Sequence, residues 1–209
     1  MQSIYFVDSN FTYESSKKSI LSIRYATDGF SFCVHDETEK LVVFVHEPYA
    51  ADSREAVVAR LKNYVVNDAI LNLRFKKVYI MPCFKEKLLV PGAFFDKANI
   101  ATLYTVNQEV SPDDTILYHH IEGIEAYLVE TVISSFHDFV REHFPVFQIV
   151  NGAYPFILGA MGKALRDTEQ IFLDIQDNYF DLLFIRDSGI QLFNTFSYKA
   201  TTDIVYFLL

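Results

Sequence analysis

The segment LSIRYATDGFSFCV, residues 21 to 34, decides the fold. Two apolar runs flank Thr27-Asp28-Gly29, and an Asp-Gly pair between such runs is a strong signal for a short turn. The segment therefore predicts a hairpin with strands over 20–25 and 30–35. A third apolar run, over 40–46, follows the charged stretch DETEK. The three runs together predict an antiparallel meander.

The residues on either side of this meander predict further elements. An opening strand, SIYFV, precedes a polar stretch over 8–19 that is typical of a loop. After the meander, a helix is expected over 53–71 because its apolar residues recur on one face. Asp52 and Glu55 have the spacing of a capping box at the start of this helix.

A buried strand over 75–81 follows the helix, and Pro91 is placed to open another helix because proline fits a first helical turn. That helix is expected to end before the break Ser111-Pro112-Asp113-Asp114. Such a break is typical of a boundary. We therefore expect a first lobe over 1–110 and a second lobe over 111–209.

The second half of the chain repeats the pattern of the first. Between the two meanders the sequence predicts strands over 115–120, 124–129 and 147–150, with helices over 131–144 and from Pro155 onward. The second meander has strands over 171–175, 179–185 and 190–196, and a helix is expected to start near Thr201. Two meanders that each lead into a helix indicate a duplicated unit.

Composition limits the classes of function. The chain has 209 residues with 27 acidic and 18 basic side chains, and its formal net charge is -9. Because binding to a phosphate backbone depends on positive charge, we expect no nucleic-acid partner. No apolar run approaches the ~20 residues that cross a bilayer, and the N-terminus lacks a secretory signal. We therefore expect a cytoplasmic protein with no membrane insertion.

Cysteine and aromatic content lead to two further expectations. Cys33 and Cys83 each lie inside an apolar run, which favours packed thiols over a disulfide. The chain has 20 Phe and 13 Tyr but no Trp. These rings fit either a large aromatic core with hydroxyls at its margin or an exposed face that binds protein.

The duplicated strand-strand-strand-helix unit resembles the actin-like ATPase fold of the ribonuclease H-like type. The resemblance is carried by LSIRYATDGFSFCV, by KKVYIM with LLVPGAFF, and by LDIQDNYFDLLFIRDSGIQLFNTFSY. It extends to a bacterial family known only as a domain of unknown function and, more distantly, to cytoplasmic adaptors of pilus-assembly and secretion machines. The resemblance implies an α/β protein with mixed sheets flanked by helices. The sequence ends at DIVYFLL, so the second lobe is either abbreviated or a truncated copy.

The resemblance also implies where a nucleotide would bind. Proteins of this fold hold phosphates with one hairpin per lobe, each with an Asp-x-Gly element whose carboxylate organises Mg²⁺ and whose glycine admits backbone amides. The first hairpin has Ser22-Ile23-Arg24 at these positions and lacks both features. The second has Asp174-Ile175-Gln176, which keeps the acid and replaces the glycine with a side chain.

Two residues of these hairpins have alternative interpretations. Asp174 is either an inherited metal-organising carboxylate or an acid that closes the turn beside Asp177 and Asn178. Arg24 either binds an anion or packs the aliphatic part of its side chain against apolar neighbours. The second arrangement is the commoner one for an arginine in a strand. If a nucleotide binds, Thr27, Asp28, Gly29 and Asp174 are the residues we expect around it, with ATP and Mg²⁺ as ligands.

Other chemistry has weaker support. The segment GAMGKAL, residues 159–165, lacks the first glycine of a P-loop and has Ala164 after Lys163, and its apolar residues have helical spacing. His119 and His120 are adjacent on a predicted strand and should face opposite sides, so they do not favour one metal ion. We predict no catalytic residue and no metal site.

These observations predict a non-catalytic protein-interaction or scaffold module with degenerate phosphate hairpins and no cofactor. Its partner would be a protein, and association with itself is a further option. The alternative is a nucleotide-binding ATPase of the actin-like superfamily, at most weakly active. Fold alone does not decide between them.

Overall fold

The computed structural model describes residues 2–208. Its strands are β1 (Ile4–Val7), β2 (Ile20–Ala26), β3 (Gly29–His35), β4 (Leu41–Pro48), β5 (Lys77–Pro82), β6 (Lys87–Pro91), β7 (Asp114–His120), β8 (Ala126–Ile133), β9 (Phe147–Ile149), β10 (Glu169–Ile175), β11 (Tyr179–Arg186) and β12 (Gly189–Ser197). Its helices are α1 (Tyr13–Ser16), α2 (Arg54–Asn67), α3 (Ile100–Asn107), α4 (Ser134–His143), α5 (Ala153–Lys163) and α6 (Thr201–Leu208). The α/β class and both meanders are confirmed.

The largest sheet has six strands in the order β1-β4-β3-β2-β5-β9. The meander β2-β3-β4 is antiparallel. Strand β5 returns through α2 and pairs with β2 in parallel, with Ile23 opposite Ile80. Strand β9 then adds in parallel to β5. Strand β1 closes the other edge by antiparallel pairing with β4.

Alternation along β2 and β3 explains the core of this sheet. Leu21, Ile23 and Tyr25 of β2 are buried, whereas Ser22 and Arg24 between them are partly exposed. Successive strand residues point to opposite faces, so the apolar set packs on one side. Helices α2 and α4 contribute further buried residues to the protein interior, which are Val57, Val58, Leu61, Val65, Phe136 and Val140.

Helix α2 differs from its predicted bounds at both ends. Its N-cap is Ser53, whose hydroxyl accepts from the backbone N–H of Ala56 at 3.2 Å, so the predicted capping box of Asp52 and Glu55 is wrong. The helix ends at Asn67 because Asp68 is extended, with ψ 128°. The side-chain amide of Asn72 then donates to three carbonyls at the helix end, those of Val65, Val66 and Asp68.

The helix predicted to start at Pro91 is also wrong in its first part. Pro91 is extended and ends β6, which pairs with β8 through Lys87 opposite Glu130. A short 3-10 turn, Gly92–Phe94, follows, and α3 begins only at Ile100. The Gly92 N–H donates to the Glu125 carbonyl at 2.7 Å. This contact is distant in sequence and therefore leaves no local signal.

Three other bounds differ in smaller ways. The predicted loop over 8–19 contains α1, capped by Thr12 and Ser15. The helix predicted from 131 starts at Ser134, because β8 continues to Ile133. The helix predicted from Pro155 starts at Ala153.

The second meander, β10-β11-β12, is antiparallel throughout. Leu183 and Ile185 of β11 are fully buried against Ile157 and Ala160 of α5. A smaller cluster has Phe180 fully buried with the rings of Phe196 and Tyr198 packed against it, at centroid distances of 5.4 and 6.2 Å. Part of the aromatic content is therefore core, as one of the two interpretations proposed.

The chain forms two compact units, and each is built from three segments. The first comprises Met1–Phe84, Val110–Ile116 and Thr131–Asn151, and the second comprises Lys85–Glu109, Leu117–Glu130 and Gly152–Leu209. The predicted lobes, 1–110 and 111–209, are continuous instead, and that boundary stays a prediction. No helix within residues 2–208 is long and apolar enough to cross a membrane.

Candidate functional site

The first hairpin places Ser22 and Arg24 on the partly exposed face of β2. The guanidinium Nη1 of Arg24 lies 3.4 Å from Oδ1 of Asp28. This ion pair ties the acid of the Thr27-Asp28-Gly29 turn to the strand before it. The pair is not apparent from the sequence pattern, although i,i+4 spacing across a turn is compatible with it.

The turn itself is anchored to the segment that follows β4. The Thr27 carbonyl accepts from the Ala51 N–H at 3.0 Å, and the Asp28 carbonyl accepts from the Tyr49 N–H at 3.1 Å. Gly29 has φ 147°, and a Cβ there would lie 2.6 Å from the Glu47 carbonyl oxygen. Glycine is required here because the backbone of β4 approaches too closely for any side chain.

Tyr49 completes this arrangement with a partly buried side chain. Its ring lies 5.1 Å from the Arg60 guanidinium and 6.1 Å from the ring of Phe30. Among residues 2–208 the buried Tyr49 hydroxyl has no hydrogen-bond partner. Burial raises the pKa of Tyr49 to about 12, although the Arg60 charge opposes the shift. The first turn is thus packed into its own unit by backbone and aromatic contacts.

The second hairpin presents Asp174 at the end of β10. The Gln176 side-chain amide donates to Oδ2 of Asp174 at 2.9 Å. The Gln176 carbonyl accepts from the Tyr198 hydroxyl at 2.5 Å, and its N–H donates to the Tyr179 carbonyl at 2.9 Å. The Gln176 side chain is thus in direct contact with the carboxylate of Asp174.

A buried ionic group in the second unit was missed by the sequence analysis. Nζ of Lys87 lies 2.8 Å from Oδ1 of Asp181, and both side chains are almost fully buried. The Thr195 hydroxyl donates to the same oxygen at 2.6 Å. Burial raises the pKa of Asp181, while the ammonium of Lys87 acts in the opposite direction. The one available signal was a charged residue inside the apolar run YFDLLFI.

Three other titratable side chains, Glu130, His119 and Asp174, lie in the same unit. Glu130 is opposite Lys87 in the β6–β8 ladder, and it is almost fully buried. Its Oε1 lies 3.9 Å from Nε2 of His119, and burial lowers the pKa of that histidine. Asp174 is opposite Asp181 in the β10–β11 ladder.

The two adjacent histidines have different neighbours. His119 lies beside Glu130, whereas the ring of His120 packs edge-on against Tyr127 at 5.1 Å. Over the described part of the chain, no three His, Cys, Asp or Glu side chains gather closely enough to hold a metal ion.

The remaining sequence candidates are placed as follows. Residues 159–163 of the P-loop-like segment lie in α5, which confirms their helical spacing. Cys33 is partly exposed and Cys83 is buried, and both are thiols rather than a disulfide. Thr27, Asp28 and Gly29 lie in the first unit, and Asp174 lies in the second.

Comparison with solved structures identifies the fold. A Bacteroides thetaiotaomicron protein of unknown function with an actin-like ATPase fold matches with a TM-score of 0.86 and 23% sequence identity, over 95% of this chain and 77% of that chain. A type IV pilus biogenesis complex, PilM-PilN, matches with a TM-score of 0.50 and 12% identity, over 85% of this chain and 61% of that chain. The chain therefore has an actin-like ATPase fold.

The family model that matches residues 8–209 is described as a protein of unknown function (DUF3822). The chain belongs to this family. No curated protein matches the chain. The predicted resemblance to a domain of unknown function with an actin-like fold is confirmed.

Proposed function

We propose that this protein is a non-catalytic protein-interaction module that keeps the actin-like fold without nucleotide chemistry. The observation that carries the proposal is the second hairpin, where Gln176 replaces the phosphate-admitting glycine and donates to Asp174 at 2.9 Å. A carboxylate engaged in this way is less available to organise Mg²⁺ and its waters, on which phosphoryl transfer depends.

The first hairpin supports the same proposal. It has no carboxylate at Ser22, and Arg24 is paired with Asp28. The carbonyls of Thr27 and Asp28 accept hydrogen bonds from the segment after β4. These contacts give the turn a structural role, independent of any ligand.

Exposed apolar residues support the interaction part of the proposal. Monomeric proteins rarely expose several large apolar side chains together, and such groups commonly mark interfaces. In this chain they occur along β1 and on α6, where Val205, Tyr206, Phe207 and Leu208 are exposed. The PilM-PilN structure, similar in fold, is a complex of proteins. The thiols at Cys33 and Cys83 fit a cytoplasmic location.

Calorimetric titration with Mg-ATP tests the proposal. We expect no saturable heat at millimolar nucleotide and no phosphate release. Saturable binding that Asp174→Asn abolishes, with the fold intact by circular dichroism, would overturn it. Gln176→Gly is the matched variant, because it restores the glycine of the phosphate element and leaves Asp174 in place.

The second candidate is a nucleotide-binding ATPase, favoured by the retention of Asp174 and of the Thr27-Asp28-Gly29 turn. It predicts that Gln176→Gly increases affinity for Mg-ATP. It also predicts that Asp28→Asn weakens binding. Under the first proposal neither substitution creates a measurable nucleotide site.

A further inference from the structure

Strand β1 is apolar at every position and exposed at every position. The exposed fractions are 50% for Ile4, 66% for Tyr5, 45% for Phe6 and 36% for Val7. The strand lies at the edge of the six-stranded sheet, beside β4. Alternate residues face opposite sides, so both faces of β1 are apolar and open. Protein sheets usually protect such edges with charge, proline or a covering element.

The backbone of β1 also offers hydrogen-bonding groups along its outer side. The Asp8 N–H donates to the Val42 carbonyl at 2.8 Å, and Val7 is opposite Val43. Because antiparallel pairing alternates, the N–H and C=O groups of Ile4 and Phe6 point toward β4. Those of Tyr5 and Val7 therefore point outward, where no strand of residues 2–208 pairs with them.

Charge surrounds both ends of β1. At one end the Ser3 hydroxyl donates to Glu47 at 2.8 Å. At the other end Asp8 pairs with Lys40 at 2.7 Å, next to the β3–β4 turn that carries Asp36, Glu37 and Glu39. Lys18 also reaches this turn and pairs with Glu37 at 3.5 Å. Five carboxylates and two ammonium groups therefore lie near the ends of the strand, and this acidic excess complements a partner with basic residues.

A second copy of the chain fits this edge poorly. The exposed surface of the four side chains amounts to about 350 Å², judged from the size of aromatic and aliphatic side chains. A stable dimer buries about 800 Å² per partner. In addition, two copies would each have a formal net charge of -9, which opposes their association. An extended segment needs less area, because it also gains main-chain hydrogen bonds.

We propose that the outer edge of β1 binds an extended apolar segment of a partner protein, flanked by basic residues, as an added strand. The inference rests on the proposed interaction function and names its surface and the chemistry of its partner. Main-chain bonds at Tyr5 and Val7 would give affinity. Apolar side chains on alternate faces of β1 and basic flanks near Glu47 and the β3–β4 turn would give specificity.

A labelled synthetic peptide of alternating valine and threonine, with two lysines at each end, is the probe. Fluorescence anisotropy measures its binding to the full chain, and amide hydrogen exchange follows β1. We expect new protection at Tyr5 and Val7 but not at Ile4 or Phe6, because only the first two point outward. A peptide with glutamate in place of each lysine should bind about tenfold more weakly or worse at low salt.

Two variants test the edge directly. Val7→Pro removes an outward N–H without removing a hydrogen bond to β4. It should weaken peptide binding about tenfold, because one main-chain hydrogen bond to the peptide is lost and the proline ring obstructs the added strand. Phe6→Lys leaves the backbone intact and adds a positive charge that repels the lysine-flanked peptide. The Phe6→Lys variant therefore still tests the proposal if the Val7→Pro protein does not fold. Val106→Lys, at an exposed position on α3, is the matched control and should leave binding unchanged.

Three specific results would contradict the inference. The inference is overturned if the peptide does not bind, if it binds Phe6→Lys as well as the parent, or if sedimentation shows a dimer that Phe6→Lys dissociates. None of these results depends on nucleotide. Failure of the proposed function would instead appear as Mg-ATP binding, so the two failures are distinguishable.

Discussion

Lys87 and Asp181 form a salt bridge of 2.8 Å between two side chains that are only 1% and 2% exposed. The strands that carry them, β6 and β11, are almost 100 positions apart in the sequence. Thr195 adds a hydroxyl hydrogen bond to the acid. Such a pair offsets much of the cost of burying two charges, but either charge alone would be very unfavourable.

Removing one partner of this pair should therefore destabilise the protein strongly. Lys87→Met is expected to lower the free energy of unfolding by about 3–5 kcal/mol, because Asp181 is left buried without its counter-charge. Urea unfolding followed by circular dichroism measures the loss. The double variant Lys87→Met/Asp181→Leu is the control and should recover most of it. A loss below about 1 kcal/mol in the single variant would contradict this account.

The turn glycine of the first hairpin should tolerate no side chain. Gly29→Ala is expected to cost about 2–3 kcal/mol, since φ is 147° and the new Cβ would meet the Glu47 carbonyl at 2.6 Å. Thermal and urea unfolding give the change. The matched control is Gly159→Ala in α5, where the new Cβ would have no atom within 4 Å apart from its chain neighbours and the adjacent helix backbone. It should raise stability by about 0.5–1 kcal/mol, because alanine favours the helix. Equal effects of the two substitutions would disprove the steric argument.

Tyr49 should make stability depend on pH in the alkaline range. Its pKa is about 12 in the folded protein, against 10.0 as its ordinary value. The unfolded chain therefore loses this proton first as pH rises. The stabilisation is fully present below pH 10 and is lost as pH rises toward 12.

Comparison with Tyr49→Phe isolates this effect. The variant should match or exceed the parent in stability at pH 7, because the buried hydroxyl has no partner among the described residues. Between pH 10 and pH 12 the parent should lose stability relative to the variant. Tyr5→Phe, at an exposed position, is the control. A parallel pH dependence of the parent and Tyr49→Phe would refute the assignment.

The two cysteines should react slowly in the folded protein. Burial raises the pKa of the Cys33 thiol, which a hydrogen bond with Ser22 opposes in part, and Cys83 is buried. Because the thiolate is the reactive form, we expect both to react with a disulfide reagent at least about tenfold more slowly than in urea. Cys33→Ser and Cys83→Ser assign the two rates. Rapid reaction of Cys83, or a Cys33 that reacts as fast in the folded protein as in urea, would contradict this expectation.

Local signals were sufficient for much of the fold. The Asp28-Gly29 pair and the alternating runs around it predicted the hairpin, because turn geometry and side-chain alternation depend on adjacent residues. The same reasoning located the second meander and the helix at Thr201. It failed where a distant strand decided the outcome, as at Pro91, which pairs with β8 opposite Ala126.

For the candidate site, the sequence likewise predicted the residues but not their contacts. The residue types at Ser22, Arg24, Asp174 and Gln176 were evident from their positions in the two hairpins. Their partners were not, since the Arg24–Asp28 and Gln176–Asp174 contacts depend on rotamers and turn geometry. The anchoring of the turn by Tyr49 and Ala51 also joins separate elements.

By itself, the sequence determined the α/β class and the duplicated meanders, because periodicity and turn chemistry are properties of short segments. Only the tertiary structure decided that Lys87 meets Asp181 and that β1 lies at an open sheet edge. The physical reason is the order of strands in space. Strand pairing and the burial of charge depend on which segments distant in sequence become neighbours in the fold. Local sequence patterns do not predict those long-range contacts.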